Sequence, residues 1–454
     1  MRLLVLYPAQ NHVPLVCTLK TVSLKEKPIY AALSYCWGTD PPQANVYLLP
    51  PEFGETYSSL SGREVAKYSF HIQNNLFRAL LQLRKGSCES VVLWVDAVCI
   101  DQNNPVEKTQ QLGKMVDIYH MAKNVCIWLG ESDDDGRSDS AMEFIPKIMD
   151  LAVLDRYAND KKQAKQWAAV AELMRDRWFS RRWVVQEISL ARSATVHCGK
   201  KVVQWVDFAD AVSLLVANRE SIRNLFDFAE WRHGPNTLGE VQSFGGNVLL
   251  EATSNLFLRT EDGSIVEPLK NLESLVTSLK TFDASNPRDI IYGLLSIAVD
   301  TFRPSMSYQT RRNKNRKERV VKLEVDYRKD AIKVYKDFTE FCVKSSGSLD
   351  IICRHWAIPV EMERPMLEGG RGKEYRKLPS WIPLLSDSEF GSPNKVYRGC
   401  WKTSPQQYHV IRLVGDISWQ EFNQSDNFDH RSKFLEISLT TYIENKQYIE
   451  FLAL

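Results

Sequence analysis

The chain of 454 residues is 44% hydrophobic and 25% charged, with a formal net charge of +2 at pH 7. That length holds two or three domains with a sizeable core, and the composition is that of an ordinary globular protein. The near-neutral charge gives no overall field to gather nucleic acid or an acidic membrane surface. The nine cysteines are scattered, with no CxxC pair, which argues against a disulfide framework or a zinc site and for a reducing compartment. The opening MRLLVLYPAQNH has an apolar run too short for a signal peptide, and no segment approaches the roughly 20 apolar residues that span a bilayer. The expected location is cytoplasmic, with the nucleus open.

In chain order, residues 1–29 read as a short leading strand and loop. YAALSYCWGTDPPQ, residues 30–43, reads as a strand over 32–35 followed by a turn from Trp37 to Pro41. Residues 45–68 read as loop. Asn74 or Asn75 starts a helix with Leu76, Leu80 and Leu83 on one face, closed by Lys85-Gly86. The densest signal is VVLWVDAVCIDQN, residues 91–103, an apolar β-branched run that stops at Asp101, Gln102 and Asn103. Asn104 suits a cap, Pro105 the first helical position, and Leu112, Met115, Val116, Tyr119 and Ala122 a helical stripe up to Lys123-Asn124. VCIWLG, residues 125–130, completes a βαβ unit. In such sheets ligands bind beyond the carboxyl ends of the strands, which directs attention to the Asp101 loop.

ESDDDGRSDS, residues 131–140, reads as an acidic surface loop whose spacing does not meet an EF-hand. Helices are expected near 141–157 and 161–177. In WFSRRWVVQEISLA, residues 178–191, Ser180 is placed to cap a helix, with Trp183, Glu187 and Leu190 on one face. ATVHCG and KVVQW, residues 194–199 and 201–205, read as a hairpin, and 206–216 as a helix. Residues 218–280 read as mixed and mostly helical. SNPRDIIYGLLSIA, residues 285–298, reads as a capped helix, the basic run 311–319 as a solvated loop, and 327–346 as an amphipathic helix. LPSWIP and short strands near the end suggest a β-containing tail.

Several chemistries lack their residues. There is no Walker A loop, GxGxxG, HxH or HExxH. Cys36, Cys99 and Cys198 stand at strand ends where His120 or His197 can reach a thiol, yet buried cysteine is more often a small hydrophobe. Glu187 is a lone carboxylate one turn from an indole. For such a residue, pairing with Arg181, Arg182 or a backbone group competes with any catalytic role.

YAALSYCWG, LWVDAVCIDQNN with IYHMAKNVCIWLGE, and FSRRWVVQEISLA resemble, in order and spacing, the three signature blocks of the fungal heterokaryon incompatibility (HET) domain. SNPRDIIYGLLSIA and LPSWIP resemble segments that commonly follow it. The resemblance implies a cytosolic trigger of programmed cell death in non-self recognition. The HET domain is in turn similar to TIR domains, which implies an α/β fold with a flavodoxin-like, mostly parallel sheet and helices on both faces over residues 1–215. A mainly helical region with some strands, 216–454, regulatory or scaffolding, would follow.

RRWVVQEI resembles the TIR helix whose glutamate cleaves NAD, which implies Glu187 as the catalytic residue and NAD as substrate, with no bound cofactor or metal. Ser34, Tyr35, Trp37, Gly38, Asp101, Gln102 and Trp183 form the expected substrate-binding set. Trp37 or Trp183 would stack on a ring, and Ser34 and Asp101 would meet ribose or phosphate. A homo-oligomer and an upstream immune-receptor-like sensor are the implied partners. The competing reading is a non-enzymatic module that self-assembles and signals by recruitment. The chain departs from the TIR pattern in the long insertion, 131–176, before the glutamate helix.

Overall fold

The computed structural model describes residues 1–9, 13–53, 62–85, 89–226, 241–260, 265–301, 323–361, 375–379 and 381–387. Its contacts group Met1–Leu269 into one unit and start a second at Lys270. The boundary expected from the sequence lies at 215/216.

The first unit is built from β1 (Arg2–Leu6), β2 (Val16–Thr21), β3 (Ala31–Tyr35), β4 (Ala44–Leu49), α1 (Gly62–Ala66), β5 (Ser69–Ile72), α2 (Asn74–Lys85) and β6 (Val91–Trp94). It continues through α3 (Asp96–Cys99), α4 (Pro105–Leu112), α5 (Met115–Met121), β7 (Asn124–Gly130), α6 (Arg137–Ile148), α7 (Leu151–Asn159) and α8 (Ala164–Leu173). Then come α9 (Arg182–Leu190), β8 (Ala194–Cys198), β9 (Lys201–Gln204), α10 (Trp205–Ala217), α11 (Arg219–Asn224), α12 (Gly245–Thr253), β10 (Phe257–Arg259) and β11 (Ile265–Pro268).

Nine strands form one sheet in the order β5-β4-β2-β1-β6-β3-β7-β8-β9. The α/β expectation holds, with a refinement of the sheet. β6, β3, β7 and β8 run parallel, whereas β1 is antiparallel to both β2 and β6. Within that parallel core the chain visits the positions in the order second, first, third, fourth, which is the flavodoxin-like arrangement with its switch point between β3 and β7. β3 is central. Its Ala32, Leu33, Ser34 and Tyr35 are all buried, so neither face reaches water.

Three elements correct the sequence reading. The stretch read as loop after residue 45 holds β4, parallel to β2 with Val46 and Leu49 buried, and β5 follows it. The apolar run from Val91 ends as a strand at Trp94 and turns into the short helix α3. Cys99 and Ile100 are buried through that helical turn, and composition does not separate such a turn from a continuing strand. The stripe from Leu112 to Ala122 is not one helix, because the chain breaks at Gly113-Lys114 and only α5 is buried. The Asn104 cap is present, its side chain accepting from the Val106 and Glu107 N–H groups at 3.1 Å each.

The insertion after β7 is three helices, α6 to α8. Asp150 caps α7 and so divides what reads as one helix. In the acidic loop before it, Asp133 and Asp135 face the Arg137 guanidinium. Ser180 does not cap α9. Arg181 holds that position without a side-chain hydrogen bond, and the Ser180 hydroxyl donates to the Arg177 carbonyl at 2.9 Å. The expected hairpin is β8–β9. Between α12 and Leu269 the chain forms a second hairpin, β10–β11, in a region read as mostly helical.

The second unit contains α13 (Leu272–Ser278), α14 (Asp289–Tyr292), α15 (Ala331–Ser346) and the pair β12 (Val360–Glu361) and β13 (Tyr375–Arg376). Asp330 caps α15, and Ala331, Val334, Tyr335, Phe338 and Phe341 are buried along its predicted face. Trp356 packs edge-on against Tyr335 and Phe338, with centroids 5.1 and 4.8 Å away. The expected helix over 285–298 is a single short turn, α14. The basic run 311–319 and the expected C-terminal strands lie outside the described residues. Among the described residues no helix is long and apolar enough to cross a membrane.

Candidate functional site

The carboxyl ends of the parallel strands carry a buried polar network. β3 delivers Ser34 and Tyr35 there, β6 delivers Asp96 at the start of α3, and α9 brings Glu187. Glu187 is 3% exposed. The Ser34 hydroxyl donates to its Oε2, and the Tyr119 hydroxyl of α5 hydrogen-bonds the same carboxylate. The direction at Ser34 follows from its other partner. The Trp178 indole N–H reaches Ser34 Oγ at 2.8 Å and can only donate, so the serine proton is left for the carboxylate.

Burial pushes the Glu187 carboxyl above its ordinary pKa, and the Arg181 guanidinium and the Ser34 bond pull the other way. The same balance holds for Asp96, raised by burial and opposed first by Arg181, then by the Trp37 indole N–H on Oδ2 at 2.9 Å and the Ala97 N–H on Oδ1 at 2.7 Å. Arg181 Nη1 also donates to the Tyr35 carbonyl at 2.5 Å, which fixes the cation at the end of β3. One guanidinium thus acts on two buried carboxylates. The Tyr35 hydroxyl lies in the field of Asp96, Arg181 and Glu187, and no hydrogen-bond partner is found for it among the described residues. Asn75 ties the rim together. Its Nδ2 donates to the Cys36 carbonyl at 2.7 Å and its Oδ1 accepts from the Trp128 indole at 2.9 Å.

The expected site residues divide. Ser34, Tyr35 and Glu187 meet in this network, and Trp37 joins it through Asp96. Gln102 touches it at one remove, its Nε2 donating to the Asp96 carbonyl at 2.9 Å. Asp101 does not. It is exposed, and its Oδ1 accepts from the Asn103 N–H in a local turn, so the carboxylate at the end of β6 is Asp96, five residues earlier. Gly38 is exposed with φ +84°, a backbone that a glycine adopts without strain. Trp183 is half-buried one turn before Glu187, and the indole whose N–H enters the carboxylate's network is that of Trp178.

The sequence names Arg181 as a partner for Glu187, and the structure adds Asp96, Tyr119 and Trp178 to the network. Asp96 had a legible signal, a single carboxylate inside an apolar run. Tyr119 and Trp178 are set by chain crossings that a linear pattern does not show.

A cysteine–histidine pair finds no support. Burial pushes the Cys36 and Cys198 thiols up to about 11 and Cys99 to about 12. His197 Nε2 lies 2.9 Å from the Thr195 hydroxyl, and His120 Nε2 lies 3.0 Å from Arg192.

Part of the first unit matches a known protein family. Residues 30–187 match the family model described as heterokaryon incompatibility protein (HET). That span begins just before β3 and ends on Glu187. A curated relative from Neurospora crassa, heterokaryon incompatibility protein 6, OR allele, is 30% identical over 340 residues, which are 66% of this chain and 47% of the relative. The chain therefore spans about half the length of the curated relative it matches. No solved structure matches it. On this evidence the chain is a HET-domain protein, with its heterokaryon incompatibility domain over residues 30–187.

Proposed function

We propose that this chain is an effector of programmed cell death in fungal non-self recognition, and that Glu187 cleaves the bond between nicotinamide and ribose in NAD. The first half rests on the HET domain and on the printed name of the Neurospora crassa relative. The second rests on one observation. A buried carboxylate, already supplied with an oriented hydroxyl donor, stands at the carboxyl rim beside the switch point of a flavodoxin-like sheet.

The chemistry suits a single carboxylate. The nicotinamide ring nitrogen is already cationic in NAD and departs neutral with the bonding pair, so no acid is needed to protonate the leaving group, unlike the two-carboxylate scheme of most glycosidases; water then adds to the anomeric carbon, giving ADP-ribose and releasing a proton. Glu187 would hold the ribose hydroxyls and face the positive charge that develops at the anomeric carbon. Arg181 and Ser34 favour its ionised form against the cost of burial. The Tyr35 hydroxyl offers a further donor to ribose, and Trp37 an indole to stack on a ring. Glu187 is closed off in this arrangement, so substrate entry requires the loops after β3 and β6 to part. The Trp37–Asp96 hydrogen bond that joins them is the contact to break.

The test is NAD consumption by purified full-length protein, wild type against Glu187→Gln, with NAD levels and death followed in cells holding both at equal abundance. Cleavage lost in the variant together with death supports the reading. Wild-type protein that leaves NAD intact at high concentration while cells still die overturns it.

The 3% exposure of Glu187 favours a second reading. In it the network is a structural clamp, and the domain acts as an interaction module that assembles with itself or with an upstream sensor. Death retained in a folded Glu187→Gln variant selects that reading. Both place the protein in the cytoplasm, and both are served by a homo-oligomer, which sedimentation with and without NAD analogues addresses.

A further inference from the structure

We infer that Asp96 is the specificity residue of the rim: its Oδ2 exchanges the Trp37 indole N–H for the carboxamide N–H of an incoming nicotinamide, so that the site takes NAD and rejects the dinucleotide that carries nicotinic acid. The inference rests on the reading of the rim as a NAD site and adds what recognises the leaving group.

The Trp37–Asp96 contact has one fixed partner and one movable one. Asp96 opens α3 directly after Val95, which is fully buried, and Cys99 at the other end of that helix is 1% exposed. Its Oδ1 accepts from the Ala97 N–H at 2.7 Å, and its carbonyl accepts from Gln102 Nε2 at 2.9 Å. Trp37 is half-buried, and residues 38–40 after it are exposed. Asn75 holds the Cys36 carbonyl at 2.7 Å, so the end of β3 is anchored and the chain beyond it pivots from Cys36. The Trp37 indole N–H is engaged with Asp96 Oδ2 at 2.9 Å, and parting Trp37 from α3 breaks that one side-chain hydrogen bond.

Parting bares a carboxylate oxygen. Both oxygens of Asp96 accept from neutral donors, a pattern that suits the ionised form, and Arg181 and, more weakly, Lys108 act on it through their fields. With Trp37 away, Oδ2 faces the opened rim with no donor, and a charged oxygen left so in a protein interior is costly. Glu187 is in a different position. Its donors, Ser34 and Tyr119, come from β3 and α5 and stay in place when the loop moves.

A ligand that enters must therefore return a hydrogen to Asp96. Nicotinamide carries a primary amide with two N–H donors, on a ring whose positive charge also favours a carboxylate neighbour. Nicotinic acid carries a carboxylate in the same place. It has no hydrogen to give at neutral pH and sets like charge against Asp96. Discrimination by a site that hydrogen-bonds one particular group is large, because the wrong group leaves the protein atom unpaired.

Calorimetric titration of full-length Glu187→Gln protein, in which the proposed cleavage is blocked, measures binding of NAD and of nicotinic acid adenine dinucleotide without turnover. NAD is expected to bind roughly thirtyfold or more tighter. Adding Asp96→Asn supplies an amide that can donate to a carboxylate as well as accept from an amide. The preference is then expected to narrow to about threefold or less, chiefly through tighter binding of the nicotinic acid form. Trp37→Phe keeps a ring and removes the competing N–H, so NAD is expected to bind about threefold or more tighter than in the parent, with the preference kept. That variant tests the exchange even where Asp96→Asn lowers the yield of folded protein. Equal affinity for the two dinucleotides overturns the inference and leaves the NAD reading standing. So does a preference that survives Asp96→Asn in folded protein, or a Trp37→Phe protein that binds NAD no tighter. Protein that binds neither dinucleotide overturns the NAD reading, and the inference with it.

Discussion

Replacing Arg181 by methionine isolates the electrostatic core of the candidate site. The substitution keeps an unbranched side chain of similar reach and removes the one charge that opposes burial at both Glu187 and Asp96. It also removes the donor to the Tyr35 carbonyl. Deleting one partner of a buried charged group costs about 3–5 kcal/mol, and Arg181 is only half-buried, so about 3 kcal/mol near neutral pH is the working figure. For a urea slope of about 2 kcal/mol per molar, that moves the unfolding midpoint down by roughly 1.5 M.

The pH dependence distinguishes a charge effect from lost packing. Both carboxyls already have folded-state pKa values above their unfolded ones, and losing Arg181 raises them further. A raised pKa gives stability that is present below the unfolded value and is lost as pH rises through the folded value. The difference between variant and wild type should therefore be full at about pH 7.5 and shrink toward about pH 4.5, where protonated carboxyls need no cation. Urea unfolding followed by tryptophan fluorescence at several pH values measures it. A penalty that stays constant with pH, or is absent near neutrality, refutes the assignment of Arg181 as counter-charge to this pair.

Three further outcomes follow from the same geometry. Ser34→Ala strands the buried Trp178 N–H and removes a donor from Glu187, so it should cost about 1–3 kcal/mol in the same unfolding assay, more than Glu187→Gln, whose amide oxygen still accepts from Ser34. His120 and His197, each lowered to about 4, should stay neutral in NMR titrations from neutrality down to about pH 5. Their contribution to stability is present above about 6.5 and falls away as pH drops toward their folded values, the opposite sense to the carboxyls, and titration at ordinary imidazole values contradicts the placement. Cys36, pushed up to about 11, should react with iodoacetamide far more slowly than a free thiol at neutral pH, and rapid labelling that abolishes activity would revive a cysteine mechanism.

What the sequence determined by itself were the features that need only near neighbours. β7 and the β8–β9 hairpin were legible from short apolar β-branched runs, β3 from a short apolar segment that stops at the Trp37 turn, and α2, α10 and α15 from periodic stripes with stops or caps. The HET blocks marked 30–191, and Glu187 stood out as a lone carboxylate one turn from an indole.

Tertiary structure decided everything that depends on distant partners. An apolar run cannot say where strand becomes helix, and so Asp96 rather than Asp101 came to end β6. β1, β2 and β4 join the sheet by pairings whose register lies in other strands, and a half-buried edge region such as β4 lacks the clean alternation that announces a strand. Ser34 and Glu187 are 153 positions apart and touch only because β3 is central and α9 returns over its carboxyl end after a three-helix insertion. The raised carboxyls belong to that closure. Burial and a shared guanidinium are properties of a packed interior, and no spacing along the chain encodes them.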